Sequence, residues 1–275
     1  MQALRHFLLA IQFFTRIPVT GALADWVGFS PAMLRASAAH FPGVGVVVGA
    51  LVVAVTAMLL IWLPPGPFTP LVAAVLGTVF SVLLTGGFHE DGLADVADGL
   101  GGSYDRARAL VIMKDSRVGA FGVLAVVLAL LAKVALLALI GSVSRHWMLS
   151  GLFAAHVVSR IWPLLLIRLM PHVGDAAGSK SKPLADQIST AGLLVGGLWC
   201  FCALATVSIA GTAIFSGVSE LRPLLFGLAA SALAWAYMGR LLWRRLQGFT
   251  GDGLGATQQV CEVAFYLGLA VALPT

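Results

Sequence analysis

The sequence predicts an all-α, polytopic integral membrane protein that forms a single domain over residues 1–275. Of these residues 59% are hydrophobic and 11% are charged, whereas soluble proteins contain about 25% charged residues. There is no Asp, Glu, Lys or Arg between Arg35 and Glu90, a run long enough for two helices of the roughly 20 residues that cross a bilayer. Prolines at 64, 65 and 67 interrupt this run, which predicts a hairpin of two spans.

The first expected element is an amphipathic helix within residues 1–20. Its apolar residues recur at helical spacing and form one stripe: Leu4, Phe7, Leu8, Ile11 and Phe14. A helix with one apolar and one polar face lies in the membrane interface rather than across the bilayer. Membrane lipid is therefore an expected partner.

Seven apolar segments follow, and each is predicted to be a membrane-spanning helix. They cover residues 44–63, 68–87, 119–140, 146–170, 190–211, 221–242 and 254–273. Each is close to the length that crosses a hydrocarbon core of about 30 Å. The fold expected is thus about seven transmembrane helices preceded by one interfacial helix.

The basic residues predict the orientation of these spans. With a cytoplasmic N-terminus, 13 of the 17 Lys and Arg residues lie inside, while only Arg145 and Arg222 lie outside, as the positive-inside rule requires. Lys133 and Arg160 lie within spans, and Lys133 is expected to extend to the outer surface. We therefore expect a bacterial inner-membrane protein whose 88–118 and 244–253 loops are cytoplasmic. Orientation and anionic lipid headgroups account for the net charge of +5, so no nucleic-acid partner is predicted.

Acidic residues are concentrated in one short segment. Six of the twelve carboxylates lie between Glu90 and Asp115. Asp91, Asp95 and Asp98 are spaced i, i+4, i+7, which places them on one helical face. Because like charges one turn apart repel, a bound cation is expected to hold them together. Mg²⁺ binds carboxylates together with substrate phosphates, so the pattern predicts a magnesium and phosphate site.

A second acidic segment is the glycine-rich turn at 248–256, just before the last span. Its glycines let backbone amides approach an anion, and the helix that follows presents its N-terminus to a phosphate. Asp252 is a candidate metal ligand here, and Thr250 and Gly251 are candidates for phosphate binding. The alternative is that Asp252 only caps the helix. Glu90 and Glu262 complete the candidate metal ligands.

Three basic residues are candidates for binding phosphate. Lys114 and Arg117 form an i, i+3 pair, and arginine binds phosphate oxygens in a bidentate manner, although Asp115 is available to pair with either. Arg160 lies inside a span, where a charge usually faces a polar cavity or an acid. Pro163 is expected to disturb that helix. We expect Arg160 to contact a substrate phosphate or an acid such as Glu262.

Four motifs of the sequence resemble those of one family. They are Phe-Phe-Thr-Arg-Ile-Pro-Val (13–19), Gly-Gly-Phe-His-Glu-Asp-Gly-Leu-Ala-Asp-Val-Ala-Asp-Gly (86–99), Met-Lys-Asp-Ser-Arg-Val-Gly-Ala-Phe-Gly (113–122) and Thr-Gly-Asp-Gly-Leu-Gly-Ala (250–256). In order and spacing they resemble the cobalamin synthase family of membrane adenosylcobinamide-GDP ribazoletransferases. Gln259 stands where some members carry Glu, whereas Glu262 keeps the acid that follows.

The resemblance implies a Mg²⁺-dependent reaction. A ribose hydroxyl of α-ribazole, or of its 5′-phosphate, would attack the cobinamide-side phosphorus of adenosylcobinamide-GDP, releasing GMP and giving adenosylcobalamin or its 5′-phosphate. Such transfer depends on positioning and charge neutralisation. The resemblance implies Mg²⁺ on Asp91, Asp95, Asp98 and Asp252, where it would bridge the diphosphate. His89 is a candidate to orient or deprotonate the attacking hydroxyl.

Two other functions stay open at this level. One is another Mg²⁺-diphosphate membrane transferase, of the CDP-alcohol phosphotransferase or prenyltransferase type. The former resembles Asp-x-x-Asp-Gly-x-x-Ala-Arg, and here no Arg follows Ala94. The other is a cation transporter, which would place polar or broken-helix features near the bilayer midplane, whereas these acids lie at the cytoplasmic rim. The oligomeric state is open, a homo-oligomer included.

Overall fold

The computed structural model describes residues 1–174, 187–214 and 221–273. These residues form thirteen α-helices, with one 3₁₀ turn at Ala38–His40. The helices are α1 Gln2–Phe14, α2 Ala22–Val27, α3 Pro31–Ser37, α4 Phe41–Trp62, α5 Thr69–Thr85, α6 Phe88–Gly102, α7 Arg106–Ile112, α8 Ala120–Val143, α9 Arg145–Val158, α10 Ile161–Leu169, α11 Thr190–Ile214, α12 Leu221–Leu246 and α13 Gly251–Ala272. Lys180 and Lys182, two of the basic residues counted as cytoplasmic, lie outside the described residues.

A helix or helix pair occupies each of the seven segments predicted to cross the membrane, so the protein is an all-α polytopic membrane protein. By length and composition, five helical stretches of the described chain can cross a bilayer, or six if α5 and α6 together make one span. The five are Pro31–Trp62, Ala120–Val143, Arg145–Leu169, Thr190–Ile209 and Leu221–Leu246. Two predicted spans are not among these five: α5, which qualifies only together with α6, and α13, whose apolar sequence is interrupted by Gln258, Gln259 and Glu262.

The chain bends by 88° between α5 and α6. Gly86 and Gly87 at this turn have φ angles of 70° and 69°, values that glycine adopts without steric penalty. The bend turns α6 away from the direction of α5. Because α6 contains four acids and four glycines in 15 residues, it lacks the apolar sequence of a membrane span and lies at the end of one.

A second break separates α9 from α10 at Ser159 and Arg160. Pro163 causes it, because a proline ring collides with the carbonyl four residues earlier and provides no N–H. The helix therefore breaks where the sequence predicts a disturbance. The carbonyl of His156 accepts a hydrogen bond of 2.6 Å from the Arg160 guanidinium.

Helix α13 packs against α6, α8, α9, α10 and α12 and so lies at the centre of the bundle. It approaches α6 closely at Gly92, where an added methyl group would lie 2.8 Å from the backbone oxygen of Asp252. The glycines of the two helices thus allow α6 and α13 to meet backbone to backbone. This contact brings two acidic segments together although they are about 160 residues apart in sequence.

The N-terminal helix α1 is present as predicted and packs against α2, α3 and α4. Phe14 is buried and stacks on Phe41 with ring centroids 4.3 Å apart. Leu4, the first residue of the predicted apolar stripe, is 53% exposed. Just beyond the helix, the backbone N–H of Arg16 donates to the Leu84 carbonyl at 2.7 Å. This bond ties α1 to the end of α5, beside the bend that leads into α6.

Candidate active site

Three carboxylates lie together where α6 meets α13. Asp91 and Asp95 are on α6, Asp252 is in the first turn of α13, and none has a hydrogen bond or ion pair with a described residue. Burial, followed by the charges of Asp252, Asp91 and Asp98, raises the pKa of Asp95 to about 7. Burial and the charge of Asp91 raise the pKa of Asp252 to about 6. Carboxylates that oppose one another's ionisation in this way suit a divalent cation.

The three acids do not form a complete ligand shell. In the described ranges, no group of three or more His, Cys, Asp or Glu side chains is arranged to hold a metal ion. A cation there would complete its coordination with water and substrate phosphates, which is how Mg²⁺ is usually bound.

Asp98, the third acid of the predicted face, has a different environment. It is buried, and its two oxygens accept hydrogen bonds from the backbone N–H groups of Gly119 at 2.7 Å and Gly122 at 2.8 Å. These amides begin α8, where a negative charge is favoured by the helix dipole. Asp98 thus fastens α8 to α6, and its carboxylate is already occupied by two donors.

Glu90 is buried beside these acids and faces α13. Its Oε1 accepts a hydrogen bond of 2.9 Å from Nε2 of Gln259. Its Oε2 is buried and has no hydrogen-bond partner among the described residues. Gln259 stands where some family members carry Glu. It therefore adds no negative charge here and donates a hydrogen bond to Glu90.

Glu262 belongs to a separate buried cluster. It forms a 2.6 Å ion pair with Lys133 and accepts hydrogen bonds from Gln258 at 2.7 Å and Tyr266 at 3.0 Å. The expectation that Lys133 extends to the outer surface is wrong, because Lys133 is 1% exposed and its ammonium lies against Glu262. With three donors on its carboxylate, Glu262 is engaged in holding α8 and α13 together.

Arg160 is also buried, but no carboxylate of a described residue lies within ion-pair distance of it. Its guanidinium bonds to the His156 carbonyl and lies 5.5 Å from the centre of the Phe41 ring. The Arg160 Nε has no partner among the described residues. The ring of His89 stacks on the same Phe41 with centroids 5.7 Å apart, so Arg160 and His89 both contact one aromatic side chain.

His89 is buried, and its Nε2 has no hydrogen-bond partner in the described part of the chain. Burial and then the positive charge of Arg160 lower the pKa of His89 well below its ordinary value. The imidazole is therefore neutral at pH 7. A neutral, weakly basic ring is better suited to orient a hydroxyl group through a hydrogen bond than to remove its proton.

The segment at 113–122 enters the site through its glycines. Arg117 forms an ion pair of 2.6 Å with Asp115, one of the two pairings that the sequence offers. Hydrogen bonds from Arg117 lower the pKa of Asp115 to about 2. Gly119 and Gly122 contact Asp98. Lys114 is exposed at the same loop between α7 and α8.

Thr250 caps α13, because its Oγ1 accepts a hydrogen bond of 3.1 Å from the Gly253 N–H. Asp252 follows inside the first turn, so the alternative that Asp252 is the cap is wrong. Gly251 borders a small apolar pocket that His89 and Phe41 also line. The cap leaves Asp252 without a structural hydrogen bond and directs it toward the acids of α6.

The segments 88–118 and 244–253 meet at one end of the bundle. Arg106 donates to the Leu246 carbonyl at 2.6 Å, and Arg245 donates to the carbonyls of Leu100 and Ser103 at 3.0 and 2.6 Å. Both segments are mainly helical, so the expectation that they are loops is wrong. These bonds fix the position of the acids of α6 relative to α13.

A cavity of about 920 Å³ opens beside the acids, between α1, α6 and α8. Glu90 and Asp91 line it together with Arg16, which follows α1. Arg16 is not among the site residues predicted from the sequence. The signal available was its place in the motif at 13–19, which resembles the opening motif of the family.

Comparison with known proteins agrees with this arrangement of motifs. The family model described as CobS, Cobalamin-5-phosphate synthase, matches residues 6–270. The chain is 70% identical to the adenosylcobinamide-GDP ribazoletransferase of Albidiferax ferrireducens over 99% of both proteins. It is 62% identical to that of Polaromonas naphthalenivorans, over 99% of this chain and 100% of the relative. It is 39% identical to that of Shewanella piezotolerans, over 98% of this chain and 96% of the relative. No solved structure gives a significant match. The chain belongs to the cobalamin-5-phosphate synthase family.

Proposed function

We propose that the protein is an adenosylcobinamide-GDP ribazoletransferase. It joins adenosylcobinamide-GDP to α-ribazole or α-ribazole 5′-phosphate and releases GMP, a late step of cobalamin biosynthesis. The observation that carries this proposal is 70% identity to the Albidiferax enzyme over 99% of both chains. The unpaired acids where α6 meets α13 support it, because transfer from a diphosphate requires charge neutralisation.

We assign the Mg²⁺ site to Asp91, Asp95 and Asp252, with Glu90 beside them. The first three carboxylates have no partner among the described residues, and one oxygen of Glu90 is likewise free. Asp98 and Glu262 are left out, because other groups already occupy their oxygens. A magnesium ion bound there would neutralise charge on the diphosphate and on the departing GMP.

The remaining residues bind and orient the substrates. The backbone N–H groups of Gly251 and Asp252, in the first turn of α13, donate hydrogen bonds to phosphate oxygens, as free N–H groups at a helix N-terminus can. Lys114 and Arg117 contribute positive charge from the loop between α7 and α8. Arg160 supports His89 through Phe41, and His89 orients the attacking hydroxyl through its free Nε2.

We also propose that the active site faces the cytoplasm from a bacterial inner membrane. The support is the basic bias, which places 13 of the 17 basic residues on that side. Membrane lipid is the proposed neighbour of α8, whose apolar face is exposed at Leu124, Leu128 and Leu131. A face of that kind on a long apolar helix is expected to contact acyl chains.

The direct test is turnover by the purified protein in lipid. Supplied with adenosylcobinamide-GDP, α-ribazole and Mg²⁺, the wild-type protein should release GMP and form adenosylcobalamin, and chelation of the metal should stop both. Asp91→Asn serves as the inactive control at limiting Mg²⁺. Absence of GMP release, or transfer only from CDP-alcohols or prenyl diphosphates, would reject the proposal.

A further inference from the structure

We infer that Arg16 binds the diphosphate of the nucleotide substrate in the cavity that Asp91 lines. The inference rests on the proposed function and adds a substrate-binding residue to it. Arg16 lies outside the two acidic segments and reaches the site from the N-terminal helix. Its position, its lack of partners among the described residues and the lining of the cavity all suit this role.

The position of Arg16 is fixed on both sides. Its backbone N–H donates to the Leu84 carbonyl at 2.7 Å, and the Thr15 hydroxyl before it donates to the Ile11 carbonyl at 2.7 Å. Its side chain lies against Gly86, where an added methyl group would collide with the guanidinium. The absence of a side chain at Gly86 therefore leaves the space that Arg16 occupies.

The charge of Arg16 is not used within the described part of the protein. Its guanidinium has no hydrogen bond or ion pair with any described residue, and the side chain is exposed to the cavity. Asp91 lines the same cavity and is equally unpaired. If Arg16 served to neutralise Asp91, the two would form an ion pair. Because they are not paired, a ligand can lie between them, with its negative charge next to Arg16 and a bound cation next to Asp91. A metal-bound diphosphate has that pattern of charge.

The cavity also has the size and polarity for such a ligand. Its volume of about 920 Å³ lies within the range of about 300–1,000 Å³ typical of small-molecule sites. Its lining combines polar side chains, among them Arg16, Glu90 and Asp91, with four valines: Val118, Val123, Val126 and Val127. The ligand class is thus a phosphoanhydride attached to a bulky, partly apolar group.

Arginine suits this position because its planar guanidinium binds two phosphate oxygens at once, whereas lysine provides a point charge. Loss of one charge-assisted contact of this kind weakens binding about 10- to 100-fold. We expect Arg16→Gln to raise the KM for adenosylcobinamide-GDP by that factor and to leave the KM for α-ribazole unchanged. Arg16→Lys should recover part of the loss.

The test measures binding as well as turnover. GDP with Mg²⁺ is the probe, titrated into detergent-solubilised wild type, Arg16→Gln, Arg16→Lys and Arg240→Gln. Arg240 is an exposed arginine of α12 and controls for loss of one surface charge. Affinity for GDP should fall about 10- to 100-fold in Arg16→Gln only. Equal affinity of Arg16→Gln and wild type would overturn the inference.

A pair of glycine variants separates substrate binding from support of the turn. Gly86→Ala and Gly87→Ala carry the same backbone strain, since their φ angles are 70° and 69°. Only the methyl group at Gly86 displaces Arg16, because a methyl group at Gly87 meets nothing within 4 Å. Gly86→Ala should bind GDP more weakly than Gly87→Ala. Equal affinities in this pair would show that Arg16 does not contact the nucleotide.

The outcomes also distinguish this inference from the proposed function. If the wild type binds GDP through Arg16 but releases no GMP, the proposed function fails and the nucleotide site stands. If the wild type turns over and Arg16→Gln matches it in both KM and GDP affinity, the function stands and the role of Arg16 fails. If Arg16→Gln does not fold, the comparison of the two glycine variants decides.

Discussion

At the scale of single residues, Asp95 and Asp98 differ in the groups that surround their carboxylates. Asp98 accepts two backbone hydrogen bonds at the start of α8, whereas Asp95 has only other carboxylates around it. An asparagine at position 98 has one side-chain oxygen that can accept a hydrogen bond, where aspartate has two. Its NH₂ group would face backbone N–H groups, which are also donors. Removing charge from these two residues should therefore have opposite effects on stability.

We expect Asp98→Asn to lower the free energy of unfolding by about 1.5–3 kcal/mol, the value of one hydrogen bond to a charged group. Asp95→Asn should leave stability unchanged or slightly higher, because it removes repulsion, while abolishing turnover at limiting Mg²⁺. Thermal unfolding in detergent, followed by circular dichroism, measures the first effect and GMP release the second. Equal destabilisation by both substitutions would contradict the assignment of Asp98 as an anchor for α8.

Asp252 and Asp95 should behave as one unit. Because both would hold the same cation, Asp252→Asn should raise the Mg²⁺ concentration needed for half-maximal activity, and the double variant should be little worse than Asp95→Asn alone. A titration of Mg²⁺ against rate in the wild type, the two single variants and the double variant measures this coupling. Additive losses would assign the two residues to separate tasks.

At the scale of helices, the crossing of α6 and α13 at Gly92 positions the acids. A methyl group at Gly92 would lie 2.8 Å from the Asp252 carbonyl oxygen, which is closer than carbon and oxygen pack, so the two helices would have to separate. We expect Gly92→Ala to cost about 1–3 kcal/mol of stability, as overpacking does, and to abolish activity. The control is Gly197→Ala in α11, where the added methyl group meets nothing within 4 Å. Wild-type activity in Gly92→Ala would show that this crossing does not position the site.

Local sequence predicts the helices and their breaks. It does not predict most contacts between residues that are far apart in sequence. Charge-free apolar runs indicate the spans, and Pro163 indicates the break after α9, because both effects arise within a few residues. The partners of Asp98 are backbone amides 21 and 24 residues away. Backbone amides are present at every position, so no residue type marks them. The contact of Asp252 with α6 is expected from the family resemblance, which implies one Mg²⁺ on Asp91, Asp95, Asp98 and Asp252.

At the scale of the whole molecule, the pair Lys133 and Glu262 joins residues 129 positions apart inside the bundle. A lysine in an apolar run gives no indication of its partner. For this reason the sequence predicts that Lys133 extends to the outer surface. The pair is surrounded by apolar helices, so each charge depends on the other. Removing one partner of a buried pair typically costs about 3–5 kcal/mol.

We therefore expect Lys133→Met to destabilise the protein by about that amount, and Lys133→Met with Glu262→Gln to recover a large part of the loss. The reason is that the single variant leaves an uncompensated carboxylate in the bundle, whereas the double variant leaves none. Resistance to unfolding by denaturing detergent measures both. If the double variant is as unstable as the single one, the pair contributes through packing and not through charge.

The partly polar character of α13 also has a consequence for how the protein is made. Of the described helices that occupy predicted spans, α13 lacks the apolar composition of a membrane-crossing segment, and a carboxylate near the middle of a helix adds about 2.5–3.5 kcal/mol to the cost of partitioning it into lipid alone. The ion pair with Lys133 of α8 offsets part of that cost. We therefore expect α13 to insert against the helices that precede it in the chain and not into lipid alone. Because α13 also carries Asp252, we expect the same insertion step to bring Asp252 to the acids of α6.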